Sequence, residues 1–247
     1  MNRTGIVSIS FRDKTPEEII CAAIASGLDS VEWGGDVHVP HGNKETAKRV
    51  RDLTESAGLA MPEYGSYYII GAPEKVSFSD VLLSADTLGC EAIRVWPGMN
   101  CPSDSITNEQ YRAFVEDARR ICDEGKEHKI CLECHPNSLT DEYHTAIQLI
   151  KDIDRENLLM FWQPNQFKPL SYNFDSLHAL LPFIYSAHVF SWERDAHYPL
   201  AKGKDAWSEY INILSSREIN YMLEFMHDNK IESLPEAART LKGWLKI

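Results

Sequence analysis

The sequence predicts a single (β/α)8 barrel, an α/β fold with a closed parallel sheet and an outer ring of helices, over residues 1–247. Short apolar runs alternate with helical patterns eight times along the chain, which is typical of a parallel sheet. Eight such units in 247 residues average about 31 residues each, close to the size of known barrels of this class. No linker rich in Pro, Gly or Ser divides the chain. The runner-up fold is an open doubly wound sheet, but the turn after the first strand, SFRDKTP, lacks the glycines usual there.

The strand candidates are apolar and often β-branched or aromatic, as buried parallel strands are. They are residues 5–10, 30–35, 61–66, 92–97, 129–135, 158–164, 185–191 and 220–226.

Helix boundaries follow from capping signals. Thr15-Pro16-Glu17-Glu18 predicts a capping box with proline at the first helical position. Two further capping boxes are predicted for Thr107 with Gln110 and for Ser233 with Glu236. Helix C-terminal caps are predicted at the glycines that precede strands, namely Gly27, Gly58 and Gly89.

Composition limits the function classes. The chain is 43% hydrophobic and has a formal net charge of -12, without a cluster of Lys and Arg. Nucleic acid and anionic membranes are therefore poor partners. The N-terminus lacks the apolar run of a signal peptide and no stretch is long enough to span a membrane, so we expect a cytoplasmic protein. The sequence leaves both a monomer and a homo-oligomer open. Six scattered cysteines predict free thiols, and Cys131 and Cys134 should point to opposite faces of one strand.

Four polar side chains lie in consecutive apolar strand candidates: Glu133, Gln163, His188 and Glu224. The active site of such a barrel lies at the C-terminal ends of its strands. Buried carboxylates without partners cost several kcal/mol and repel one another. One divalent cation would resolve both problems, and these ligand types suit Mn, Mg, Co or Zn. The alternative is that each Glu pairs with Arg or Lys and that the His is a satisfied core residue.

The segments LECHPNSLTD, FWQPNQF, AHVFSWERD and MLEFM resemble the last four strands of the xylose isomerase-like barrel superfamily, nearest to its sugar isomerase and epimerase group. The resemblance implies a metal site with ligands on strands five to eight, which maps to Glu133, His188 and Glu224. The Asp of the family pattern is replaced by Gln163. It also implies that Glu133 and Glu224 form the catalytic pair that exchanges protons with the substrate.

The resemblance further implies that Arg194, six residues after the strand-seven His, binds substrate oxygens; the alternative is a surface salt bridge with Glu193 or Asp195. Two family positions differ here, because a His becomes Gln166 and a Glu becomes Leu139. In the family both positions help to bind the reacting end of a ketose, so their replacement bears on whether this chain can act as an epimerase. A further set of polar and aromatic residues at strand ends is expected to contact substrate, and it comprises His135, Gln166, Trp33 and Glu63.

The predicted function is a divalent-metal-dependent isomerase or epimerase that acts on a small sugar, ketose or polyol by proton transfer next to a metal-polarised carbonyl. Its partner is a small carbohydrate substrate. A lyase of the inosose-dehydratase type would use the same site, and loss of one water from the substrate would identify it. A non-catalytic binding barrel is the third possibility. The damaged-DNA endonucleases of the superfamily need more His and Asp ligands than the chain offers.

Overall fold

A closed barrel of eight parallel strands forms the centre of the computed structural model, which describes residues 2–72 and 74–246. Each barrel strand pairs with its neighbour in sequence, and the last one also pairs with the first, which closes the sheet. The predicted (β/α)8 fold class is confirmed. The strands of the described residues are β1 (Arg3–Val7), β2 (Ser30–Gly34), β3 (Glu63–Ile69), β4 (Ala92–Trp96), β5 (Lys129–Glu133), β6 (Leu158–Trp162), β7 (Ile184–Val189), the hairpin strands β8 (Trp192–Glu193) and β9 (Ala196–His197), and the last barrel strand β10 (Asn220–Leu223).

Eight α-helices surround the barrel in the described part of the chain. They are α1 (Pro16–Ala25), α2 (Lys44–Ser56), α3 (Phe78–Leu88), α4 (Asn108–Glu124), α5 (Tyr143–Ile153), α6 (Leu170–Leu180), α7 (Lys204–Leu214) and α8 (Leu234–Leu245). Short 3-10 turns cover Ser8–Phe11, Leu181–Phe183, Leu200–Gly203 and Ile231–Ser233. None of the described helices is long and apolar enough to cross a membrane.

The strand predictions are right in place but run past the observed C-terminal ends in most cases. The predicted first strand, residues 5–10, corresponds to β1 (Arg3–Val7) followed by a 3-10 turn. The hairpin formed by β8 and β9 was not predicted, because two-residue strands carry no period that a sequence pattern can reveal.

Two of the three predicted capping boxes form. Thr15 caps α1 and Thr107 caps α4, each with reciprocal side-chain bonds. The prediction at Ser233 was wrong, because a 3-10 turn precedes α8 and gives Ser233 a helical backbone. Its hydroxyl instead donates to Asp228. The glycines predicted at helix ends, Gly27, Gly58 and Gly89, all have positive φ.

The main hydrophobic core lies between the barrel and the helices, while smaller apolar groups fill the barrel itself. Cys131 packs inside with Ala92 and Phe161, whereas Cys134 packs against the main core. The two cysteines therefore point to opposite faces of the strand, as predicted, and both are free thiols.

Asp117 of α4 fixes the chain that leaves β3. Its carboxylate accepts hydrogen bonds from the Tyr68 hydroxyl at 2.9 Å and from the Gly71 N–H at 2.8 Å. Arg120 donates to the same carboxylate at 2.7 Å. The side chain of Asp117 is buried, so these bonds replace its lost hydration.

We expect the substitution Asp117→Ala to lower the free energy of unfolding by about 2–4 kcal/mol, because it leaves several buried donors without an acceptor. Urea denaturation followed by circular dichroism measures this change. Asp123→Ala is the control, since Asp123 forms only an exposed pair with Arg155 and its loss should change stability by less than about 1 kcal/mol. Equal effects of the two substitutions would contradict the role assigned to Asp117.

Candidate active site

A buried network of charges lies inside the C-terminal end of the barrel. Arg94 of β4 donates from Nε to Glu32 Oε1 at 3.2 Å and from Nη1 to Glu133 Oε2 at 2.6 Å. His188 Nε2 lies 3.0 Å from Glu32 Oε2. All four side chains are nearly inaccessible to solvent. The alternation of β-strand side chains places these residues of β2, β4, β5 and β7 on the inner face.

Gly65 of β3 makes room for this network. A Cβ atom at this position would lie 2.4 Å from Glu32 Oε1 and 3.0 Å from Arg94 Nη2. Because both neighbours are fixed by buried ion pairs, they cannot yield as a flexible surface side chain would. Glycine therefore allows the pair of Glu32 and Arg94 to lie directly against the β3 backbone.

Glu133, His188 and Glu224 form a group whose ligand atoms all lie within 4.8 Å of one another. His188 Nδ1 is 3.4 Å from Glu224 Oε2 and 3.7 Å from Glu133 Oε1. This nitrogen is buried and has no hydrogen-bond partner among the described residues. When Nε2 donates to Glu32, a bare Nδ1 lone pair faces two carboxylates. That arrangement is repulsive unless a proton or a cation lies between them, so these residues fit a divalent ion.

The same contacts shift the pKa values of His188 and Glu32. Burial lowers the pKa of His188, but the nearby Glu224 and Glu32 carboxylates outweigh it and raise the pKa well above its ordinary value. Burial raises the pKa of Glu32, but His188 and Arg94 outweigh it, so the net direction is downward. A bound cation would take the place of the proton on Nδ1.

Gln163 contacts this group through its amide nitrogen. Nε2 donates to the carbonyl oxygen of Cys134 at 2.8 Å and to Glu133 Oε1 at 3.3 Å. An amide nitrogen does not ligate cations, so only the carbonyl oxygen of Gln163 remains for such a role. Both oxygens of Glu133 thus have a hydrogen-bond donor, one from Arg94 and one from Gln163.

An open cavity of about 270 Å³ lies above the buried network. Among the residues selected from the sequence, those that line it are Glu133, His135, Gln163, Gln166 and Glu224. Residues of the lining to which the sequence analysis gave no role include Ile9, Arg12, Tyr67, Arg94, Trp96, Trp192 and Phe225. Arg94 and Trp96 lie at the C-terminal end of a predicted strand. That position is the sequence feature that could have identified them as cavity residues.

His135 has a defined tautomer. Its Nδ1 lies 2.7 Å from the carbonyl oxygen of Pro136, which can only accept, so Nδ1 carries the proton. In the neutral ring Nε2 then bears a lone pair. The ring packs against Trp96, with 4.7 Å between centroids. His135 therefore combines a fixed ring orientation with an Nε2 lone pair, and it is part of the cavity lining.

Two expected substrate contacts require correction. Trp33 is fully buried between the barrel and the helices, with an edge contact to His38, because Glu32 occupies the inward position of β2. Glu63 points inward but lies deeper than the cavity, where Ser186 and Asn220 donate to it. Burial and the neighbouring Glu32 raise the pKa of Glu63 well above its ordinary value. Neither side chain lines the cavity.

Arg194 lies at the exposed tip of the hairpin formed by β8 and β9 and is not part of the cavity lining. Its expected contact with substrate oxygens stays a prediction. Its backbone N–H donates to the carbonyl oxygen of Gln166 at 3.1 Å, which ties the hairpin to the loop after β6. The hairpin presents Trp192, whose ring stacks with Phe190 and with His197.

Comparison with known proteins finds no matching family model. A 3-dehydroshikimate dehydratase from Bacillus anthracis is 24% identical over 201 residues, which cover 74% of this chain and 70% of that protein.

Solved structures resemble the whole chain. The probable 3-DHS dehydratase of Bacillus anthracis that is involved in petrobactin synthesis superposes with a TM-score of 0.80 at 20% identity, covering 98% of this chain and 99% of that one. D-psicose 3-epimerase from Clostridium cellulolyticum H10, solved with D-tagatose, gives a TM-score of 0.72 at 14% identity, with 99% of each chain covered.

A xylose isomerase-like TIM barrel protein from Mycobacterium smegmatis, solved in complex with magnesium, gives a TM-score of 0.73 at 11% identity and covers 98% of this chain and 96% of that one. At these identities the likeness concerns the fold. The resemblance indicated by the last four strands is confirmed at that level: the chain has the fold of the xylose isomerase-like TIM barrel proteins.

Proposed function

We propose that the protein is a lyase of the dehydratase type, which removes water from a small ketone that bears a hydroxyl group β to its carbonyl. One base takes the proton from the carbon next to the carbonyl, and the electron pair of that C–H bond forms the new C=C bond as the hydroxyl leaves. The leaving hydroxyl takes up one proton and departs as water, so the atoms balance.

The observation that carries this choice is that both oxygens of Glu133 accept hydrogen bonds from neighbouring side chains. Epimerisation by two glutamates needs a free carboxylate on each side of the reacting carbon. Both oxygens of Glu133 already accept hydrogen bonds, from Arg94 at 2.6 Å and from Gln163 at 3.3 Å. These bonds fix the position of Glu133, while each of its oxygens keeps a second lone pair that is open to a cation, so we assign Glu133 to cation binding rather than to proton exchange. An elimination needs only one group that accepts a proton and returns it to the leaving hydroxyl.

His135 is the group we assign to that task. It lines the cavity, and the hydrogen bond of Nδ1 to Pro136 leaves Nε2 as the acceptor. A neutral imidazole nitrogen can take a proton from carbon and pass it to an oxygen. Its position two residues after Glu133 on the chain keeps it close to the buried group.

Glu133, His188 and Glu224 would hold a divalent cation, with Gln163 as the fourth and weaker member. When bound, such an ion supplies positive charge that polarises the substrate carbonyl and acidifies the neighbouring C–H. Glu32 accepts the Nε2–H of His188 and so directs Nδ1 towards the two carboxylates. Arg94 compensates Glu32 and Glu133 and keeps the network charged while it is buried.

The substrate class that we propose is a small hydroxylated ring ketone, and 3-dehydroshikimate is the first compound to assay. Two comparisons support this choice. The sequence relative is a dehydratase of this compound, and the solved structure is a probable dehydratase of it. A cavity of about 270 Å³ suits a single six-membered ring.

An isomerase or epimerase acting on a ketose is the second candidate. Glu224 favours it, because it lines the cavity and lies in the same group as His188 and Glu133. The structural likeness to D-psicose 3-epimerase is in keeping with this candidate. Product mass separates the two reactions, since only the lyase product lacks one water.

The first prediction concerns turnover. Wild-type protein supplied with Mg²⁺ or Mn²⁺ should convert 3-dehydroshikimate into a product lighter by one water, detected by mass spectrometry and by the absorbance of the new conjugated system. The substitution His135→Gln should reduce turnover by about 10²–10⁴-fold and leave metal binding unchanged. His197→Gln is the control, because His197 stacks on Trp192 outside the cavity lining.

Full turnover by His135→Gln would remove His135 from the mechanism. A wild-type protein that converts D-psicose or D-tagatose to an isomer of unchanged mass, and leaves 3-dehydroshikimate intact, would replace the lyase with the epimerase.

The second prediction concerns the cation. Glu133→Gln, His188→Gln and Glu224→Gln should each lower the affinity for Mn²⁺ by at least about 10-fold, because each removes one proposed ligand. Competition titration with a chelating dye measures this affinity after removal of bound metal. Glu193→Gln removes an exposed charge of the same type on β8 and should leave the affinity within about twofold. Unchanged Mn²⁺ affinity in all three variants would rule out the site.

A further inference from the structure

Phe225 follows the buried strand β10 with an unusual backbone conformation. Its φ is 47°, in the left-handed region. The other non-glycine residues with positive φ in the described residues are polar: Asn100, Asn137, Asp154, Arg194, Asn229 and Lys246. Asn and Asp tolerate this region through local hydrogen bonds, whereas a bulky aromatic residue there is an outlier. Such strain persists where the surroundings enforce it and is concentrated at functional sites.

The left-handed turn has a direct geometric result. Successive side chains of an extended strand point to opposite faces of a sheet. Glu224 and Phe225 are consecutive, yet both line the same cavity. The Glu224 N–H still bonds to Val189 O of the neighbouring strand at 3.1 Å, so the chain leaves the regular alternation at Phe225 itself. The strained residue thus brings an aromatic ring next to a carboxylate of the candidate site.

Ser10 holds this conformation in place. Its hydroxyl oxygen accepts the Phe225 N–H at 2.9 Å, and the Ser10 side chain is buried in the 3-10 turn that follows β1. The Phe225 ring packs against the apolar cluster of Val7, Ile9 and Met222 and lies 5.8 Å from the Trp192 ring. The ring is only partly buried, so part of its surface is open to the cavity.

The cavity lining includes chemically different groups. Glu133, Gln163 and Glu224 are polar, while Ile9, Trp192 and Phe225 are apolar. A ligand that contacts both kinds of group presents oxygens to the polar side chains and a flat C–H or π surface to the apolar ones. Aromatic rings bind such surfaces by stacking or edge contacts.

We propose that Phe225 is a specificity-determining residue that binds the face of a planar, oxygenated six-membered ring. This inference rests on the proposed function in taking the cavity as the substrate site, and it narrows the substrate class to rings that flatten when water is lost. The strained backbone is the device that places the ring of Phe225 beside Glu224.

The test compares two ring diols of equal size, catechol, which is planar, and cis-cyclohexane-1,2-diol, which is puckered. Isothermal titration calorimetry with Mg²⁺-loaded protein gives both dissociation constants. Wild type should bind the planar diol more tightly, and Phe225→Leu should reduce the ratio of the two affinities by about 3–10-fold. Phe167→Leu is the matched control, because Phe167 is an exposed ring outside the cavity lining. An unchanged ratio in Phe225→Leu overturns the proposal.

Backbone strain is tested separately by thermal unfolding. At position 225 glycine should give a higher melting temperature than alanine, by about 2–4 °C, because glycine adopts positive φ without a steric penalty. At Phe167, which has no positive φ, alanine should be the more stable replacement. If the glycine and alanine variants had the same order of melting temperatures at both positions, the strained placement of Phe225 would be overturned.

Both measurements are independent of turnover. A protein that binds the planar diol through Phe225 but does not dehydrate 3-dehydroshikimate would retain this inference and contradict only the proposed reaction. Loss of the affinity ratio in Phe225→Leu together with normal dehydration supports both.

Discussion

The buried guanidinium of Arg94 is the interaction on which the open end of the barrel depends. An ionised side chain taken out of water costs several kcal/mol unless its charge is met by well-placed partners. Arg94 meets Glu32 and Glu133, and Glu32 in turn meets His188. The four groups belong to four different strands, so the compensation of charge fixes the relative positions of those strands at the mouth. Packing alone would leave these carboxylates facing one another without compensation.

This constraint also makes the two glutamates of the candidate site unlike each other. Glu133 lies on the side of Arg94 and Gln163, and each of these donates a hydrogen bond to one of its oxygens. Glu224 follows β10, and its ion pair among the described residues is with His188 Nδ1. A pair that is symmetric in the family pattern is therefore asymmetric here. The proposed reaction, with one proton carrier, depends on this asymmetry.

The fold was accessible from the sequence because it depends on local patterns. Apolar strand runs, two capping boxes and glycines with positive φ each reflect short-range physics, and all recur in the structure. The sequence also predicted which side chains lie close together. The barrel strands β5, β6, β7 and β10 end at one mouth. Glu133, Gln163 and Glu224 therefore line one cavity, and His188 lies in the same group as the two glutamates. Their roles as ligands and proton carriers remain predictions.

The errors arose where a side chain's position depends on distant parts of the chain. Trp33 and Glu32 are adjacent, and which of them points inward depends on the register of β2 with its neighbours. Glu63 points inward, but its depth in the barrel follows from the stagger of the strands. Phe225 takes its conformation from Ser10, which lies 215 positions away in sequence. No local pattern carries that information.

The filled interior of the barrel has a kinetic consequence. Beneath His188 the space within the strands is occupied by Glu63, Phe161 and Met222, all without solvent access. The mouth is then the opening through which a ligand of the cavity enters and leaves. For the proposed dehydration, water and the organic product would share this one opening, so release of the organic product would set how soon the next substrate can bind.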